Sequence, residues 1–154
     1  MDDRVSTLKA LPLLHDVAQE ELERVAERVA EKRFAPGEVL VHEGSVGSDV
    51  FFILSGKCEV RRTAGGKAQV VAKLGAGDFF GEMAVLSPDP RTATVAAVDA
   101  VKALVLSAWE FRQALQANPG MGYQVAKLLA GRLRKAEEAL AEAREVKARP
   151  ARRR

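Results

Sequence analysis

Between Phe34 and Leu106 the chain never stays apolar for long before it meets a turn. Val39-Leu40-Val41, Val50 to Leu54, Cys58 to Arg62, Ala68 to Leu74, Thr94 to Val98 and Val101 to Leu106 are short runs rich in β-formers. Pro36-Gly37, Gly44 to Gly47, Ser55-Gly56, Gly65-Gly66, Gly75 to Gly77 and Asp99-Ala100 separate them. Evenly spaced short strands and turns predict an antiparallel barrel or jelly roll. Gly65-Gly66 suits a two-residue hairpin whose solvated tip carries Arg61, Arg62 and Lys67.

Helical periodicity brackets this region. Residues 5–33 read as helical: Leu8, Leu11, Leu13 and Leu14 cluster around Pro12, and Leu22, Val25, Ala26, Val29 and Ala30 repeat at three- and four-residue spacing. Asp16 with Gln19 forms one candidate capping box, and Ala18, a poor cap, is the other candidate start. Ala108 to Ala117 is a short helix carrying Trp109 and Phe111, broken by Asn118-Pro119-Gly120. A long helix follows from Met121 to Val146, with Leu129, Leu133, Ala136, Leu140 and Ala143 on a narrow seam. Its first turns suit packing on the rest of the domain. Beyond Ala136 the seam points to self-association.

The 154 residues give room for one domain with a real core and a modest extension. The reading is residues 1–146 as the domain and residues 147–154 as a basic tail; with no aromatics between its arginines, the tail is expected to be a disordered, solubilising end. No apolar run approaches the roughly 18 residues of a membrane span, and the acidic start Met1-Asp2-Asp3 is unlike a secretory signal. Cys58, the single cysteine, excludes an internal disulfide and suits a reducing cytoplasm. His15 and His42 each lack the companions a metal site needs, so no metal or cofactor is expected.

The chemistry concentrates between Gly75 and Ala97. Gly75, Gly77 and Gly81 nearly match the dinucleotide fingerprint, with one residue too many and without the alternating helices of a Rossmann sheet. Gly66-Lys67-Ala68 fails as a P-loop, and no Gly-x-Ser-x-Gly elbow occurs, so no enzyme is expected. What remains is an anion pocket. Gly81 admits close backbone approach, Glu82 to Leu86 suit one short helical turn, and Pro88 and Pro90 direct Arg91. An arginine placed there can fork onto a phosphate or carboxylate, while Glu82 would accept from ligand hydroxyls. The alternative is a buried Glu82–Arg91 ion pair that only ties the segment down, an arrangement of little net stability.

Phe34-Ala35-Pro36-Gly37-Glu38-Val39-Leu40, Glu43-Gly44 with Gly47, Phe51 to Gly56, Phe79 to Leu86 and Arg91-Thr92-Ala93-Thr94-Val95 resemble the cyclic nucleotide-binding domain family over roughly residues 8–145. The resemblance implies an eight-stranded jelly-roll barrel flanked by helices, with a phosphate-binding cassette at residues 80–94. It also implies that Glu82 accepts from the ribose 2′-hydroxyl and Arg91 neutralises the cyclic phosphate, beside Phe80 and Gly81. Met83, Ala84, Thr92 and Ala93 would complete the phosphate cradle. Val60, Val71, Leu74 and Phe80 match positions lining ribose and base, and Arg132 and Leu133 match positions closing over the base. Two departures stand out: Ser48 sits where relatives often carry aspartate, and Ala136 where catabolite activator-type proteins carry a base-contacting threonine.

The expectation is a stand-alone cytoplasmic sensor of cAMP or cGMP, homodimeric through its last helix and acting on a protein effector. The chain stops where transcription factors of this family begin their helix-turn-helix, and no kinase, channel or transporter segment precedes it. Two other readings are an assembly module with a vestigial pocket and a transcription regulator whose DNA-binding part lies elsewhere; the sequence offers no recognition helix.

Overall fold

Along the strand Asp49–Ser55, residues on both faces are buried: Val50 and Phe52 point one way, Phe51 and Ile53 the other. A strand covered on both sides needs three layers, and the computed structural model, which describes residues 3–82, 86 and 89–148, has them. The strands are β1 (Ala30–Phe34), β2 (Val39–Val41), β3 (Asp49–Ser55), β4 (Cys58–Ala64), β5 (Lys67–Leu74), β6 (Phe79–Phe80), β7 (Thr94–Ala97) and β8 (Val101–Ser107). They form two antiparallel sheets, ordered β1-β8-β3-β6 and β2-β7-β4-β5. No backbone ladder joins the sheets among the described residues, so the expected barrel is an open sandwich of two facing sheets.

Helices cover the outer face of the first sheet: α1 (Asp3–Lys9), a 3-10 turn (Pro12–Leu14), α2 (Gln19–Arg28), α3 (Ala108–Ala117) and α4 (Pro119–Ala148). Leu8, Leu14 and Leu22 join Val50, Phe52, Phe79, Leu104, Leu106 and Phe111 in that layer. Phe51, Ile53, Cys58, Phe80, Val95, Ala97, Val101 and Val105 fill the space between the sheets. Adjacent Phe79 and Phe80 thus serve opposite layers. Phe80 stacks on Phe51 with ring centroids 4.7 Å apart, and Phe79 joins Phe52 and Phe111 on the helix side. Full burial of each such ring contributes about 1.5–3 kcal/mol.

The helical reading of residues 5–33 runs too far. α2 ends at Arg28, and Ala30 to Phe34 pair with β8 from Ala30↔Val105 to Phe34↔Val101. Ala30 is exposed, unlike Leu22, Val25, Ala26 and Val29. The helical spacing of Val29 and Ala30 is overridden by the free edge of β8, and Glu31, Lys32 and Arg33 give the resulting edge strand a charged face. β6, only two residues long, is a strand the sequence did not announce. Helix α2 starts from Ala18 without a side-chain cap, so the Asp16–Gln19 box does not form. Ser107 caps α3 by accepting from Glu110 N at 3.2 Å. Asn118 closes α3 onto the Ala114 carbonyl, and Pro119 opens α4 at a position where it sacrifices no hydrogen bond.

The 30 residues of α4 span about 45 Å. Met121 and Val125 are buried and Leu128 and Leu129 pack partly on the helix-side core. From Leu133, 61% exposed, to Leu140 and Val146 the helix is open to solvent, so exposure begins one turn before Ala136. No helix among the described residues is long and apolar enough to cross a membrane. Residues 149–154, with most of the basic tail, lie outside the described residues.

Candidate functional site

The site begins where β6 ends. Gly81 has φ +98°, a conformation L side chains rarely adopt, and a Cβ there would run into the Asp49 carbonyl and lie 3.0 Å from Arg91 Nη1. Glycine at 81 therefore lets the β3 backbone and the Arg91 guanidinium share one space. Gly47 does the same from the other side, since a Cβ would sit 2.8 Å from Arg91 Nε and 2.9 Å from Nη2.

The Arg91 backbone is pinned to the loop before β3: its N–H donates to the Ser45 carbonyl and its carbonyl accepts from Gly44 N–H, both at 2.8 Å. Its Nη2 donates to the Asp49 carbonyl at 2.9 Å. Among the described residues its Nε is buried with no hydrogen-bond partner. Burial lowers the guanidinium pKa, an effect opposed by the charges of Asp49 and Glu82. A desolvated cation with an unspent donor between two glycines can receive an anion's oxygen.

Glu82 is 3% exposed. Its partner is Arg132 of α4, whose Nη1 donates to Glu82 Oε1, so the Glu82–Arg91 pair weighed from the sequence is not the one formed. Arg132 Nη2 also donates to the Phe79 carbonyl at 2.6 Å, and its Cζ lies 5.3 Å from the Phe79 ring centroid. One side chain from α4 thus spans both ends of the Phe79–Glu82 segment.

Gly81, Glu82, Arg91 and Arg132 are brought together as contacts. Phe80 lies beneath them in the inter-sheet layer, where Val60 and Leu74 pack half-buried from the facing sheet. Ala93 is half-buried and Thr92 exposed. Val71, opposite a bulge between Val60 and Arg61, is 54% exposed, and Leu133 stands open to solvent beside Arg132. Met83, Ala84, Pro88 and the interior of the expected Glu82–Leu86 turn lie outside the described residues. The sequence reading missed the Asp49 carbonyl as an acceptor and Phe79 as the seat of Arg132. The first has no side-chain signature; the second was signalled only by two adjacent phenylalanines. A cavity of about 250 Å³ borders Phe79 on the helix side, lined by Pro12, Leu13, Gly77, Gln124, Lys127 and Leu128.

The family described as cyclic nucleotide-binding domain matches residues 31–118, which contain both sheets but for Ala30 at the start of β1, and the arginine set between Gly47 and Gly81. The chain belongs to the cyclic nucleotide-binding domain family. It is 31% identical to the cyclic AMP receptor protein of Thermus thermophilus over 84% of this chain and 61% of that protein. It is 39% identical to the cAMP-dependent protein kinase regulatory subunit of Mycosarcoma maydis over 60% of this chain and 18% of that protein. The Thermus thermophilus catabolite activator protein structure superposes with a TM-score of 0.76 at 31% identity, covering 86% of this chain and 62% of that one. The chain spans less than two thirds of each of these proteins. The family binds a ligand to regulate and is not catalytic.

Proposed function

We propose that this cyclic nucleotide-binding domain takes cAMP or cGMP as a sensor, with the cyclic phosphate on Arg91 and the ribose 2′-hydroxyl on Glu82. The buried, unpartnered Arg91 Nε between Gly47 and Gly81 carries this reading. A phosphate oxygen would supply the missing acceptor and compensate the cation for the water it has lost. Glu82, shielded from solvent, can accept from a hydroxyl but would repel an anion, which supports the sugar rather than the phosphate beside it.

On this reading Met83, Ala84, Thr92 and Ala93 complete the phosphate cradle, and Val60, Val71, Leu74 and Phe80 line the sugar and base. Residues 1–146 form the binding module. The output is carried by α4: Leu133, Leu140 and Ala143 form an exposed stripe at seam spacing, suited to a second copy or a protein effector in the cytoplasm. A ligand that binds one α4 arrangement better than another shifts the population towards it. Calorimetric titration with cAMP and with cGMP tests the proposal. Saturable one-to-one binding of at least one is expected, and no binding of either at tens of micromolar would refute it.

A further inference from the structure

We infer that Glu43 is a positioning residue for Arg91: its carboxylate ties to β4 the turn that holds the Arg91 backbone. The inference rests on the function proposed above and concerns how its phosphate arm is held. The ladder between β2 and β7 ends at Val41 and Val95, so Arg91 lies beyond it. Past that point the chain reverses at Gly44, φ +82°, and three bonds carry the pairing on. Glu43 N–H donates to Thr94 Oγ1 at 2.9 Å, Gly44 N–H donates to the Arg91 carbonyl and Arg91 N–H to the Ser45 carbonyl, the last two at 2.8 Å. Both backbone polar groups of Arg91 are thus engaged by one turn.

Ser45 closes that turn on itself, its N–H and Oγ donating to the His42 carbonyl at 3.2 and 2.6 Å. Closure alone does not fix where the turn stands against the sheet. Glu43 supplies that link: its Oε1 accepts from Thr63 N–H, near the outer end of β4, at 2.9 Å. The Arg91 side chain has little slack to correct a displaced backbone, because Gly47, Gly81 and the Asp49 carbonyl confine its guanidinium. A shift of the turn is therefore transmitted to Nε, the donor left for a phosphate oxygen.

The test titrates cAMP, and adenosine without its phosphate, into the parent, Glu43→Ala, Glu43→Gln, Arg91→Ala and the Glu43→Ala/Arg91→Ala double variant. Glu43→Ala should bind cAMP about three- to tenfold more weakly, the range for one lost hydrogen bond, with adenosine affinity unchanged. Glu43→Gln, whose amide oxygen still accepts from Thr63 N–H, should bind cAMP as the parent does. In the double variant the change at Glu43 should add nothing to the loss from Arg91→Ala, since the residue it positions is gone. Equal losses for cAMP and adenosine, the result of a merely structural role, would overturn the inference. So would a full second loss in the double variant, or binding by Glu43→Ala as tight as the parent's. Failure of the parent to bind either cAMP or cGMP would instead overturn the function on which it rests.

Discussion

Replacing Gly81 by alanine tests the geometry that brings Arg91 against β3. A side chain at φ +98° costs about 1–2 kcal/mol in backbone conformation. The new Cβ also collides with the Asp49 carbonyl, which is backbone and cannot rotate away. Relief requires moving the Asp49 peptide or β6, and either breaks the 2.9 Å bond from Arg91 Nη2 to that carbonyl. Hydrogen bonds to charged groups contribute about 1.5–3 kcal/mol, so the total is about 2.5–5 kcal/mol. Urea denaturation should show a midpoint lowered by about 2 M, taking a slope of about 1.5–2 kcal/mol/M. Gly65→Ala is the control: Gly65 has φ +60° but nothing within 4 Å of its added Cβ, so only the conformational cost of about 1 kcal/mol applies. Equal midpoint shifts for the two variants would refute the claim that Gly81 is held by its neighbours.

Gly47→Ala should loosen Arg91 from its other side: the added Cβ would sit against Arg91 Nε and Nη2, and moving Nη2 away breaks its bond to the Asp49 carbonyl, so stability should fall by about 1.5–3 kcal/mol and cAMP affinity at least tenfold. Cys58 is fully buried, and burial, aided by the charge of Asp99, pushes its thiol from 9.0 up to about 11. Iodoacetamide at pH 8 should leave it unlabelled until the protein unfolds. Because the native state keeps this proton longer than the unfolded chain, the parent should lose up to about 2–3 kcal/mol between pH 9 and 11, a loss absent from Cys58→Ala. Ser107→Ala removes the acceptor for Glu110 N and should cost about 1 kcal/mol in thermal or urea unfolding.

Strand and turn chemistry made most of the sandwich readable in advance. β2 to β5, β7 and β8 match the short β-rich runs between glycine turns to within two residues at either end, and Gly65-Gly66 joins Ala64 to Lys67 as a two-residue hairpin with both φ positive. β1 was hidden because Ala30 continues the spacing of α2, and only pairing with β8 distinguishes the two states. The two-residue β6 is defined by its partners Phe51 and Phe52 alone. In the site, the close approach of Gly81 and Arg91 was legible because it follows from residue type: a backbone without Cβ beside a long cation. The pairing of Glu82 was not. Its partner lies on α4, and nothing in local sequence distinguishes Arg132 from Arg91 as the cation within reach. Leu133 shows the same limit, since its seam spacing is correct but exposure is set by where α4 leaves the core.

The most direct measurement is a calorimetric comparison of cAMP with adenosine, which lacks the phosphate, on the parent and on Arg91→Ala. Truncating one partner of a buried charge pair costs about 2–5 kcal/mol, so the variant should bind cAMP at least about thirtyfold more weakly while its affinity for adenosine stays the same. A parent that does not distinguish cAMP from adenosine, or an Arg91→Ala protein that binds cAMP as tightly as the parent, would contradict the assignment of Arg91 to the cyclic phosphate.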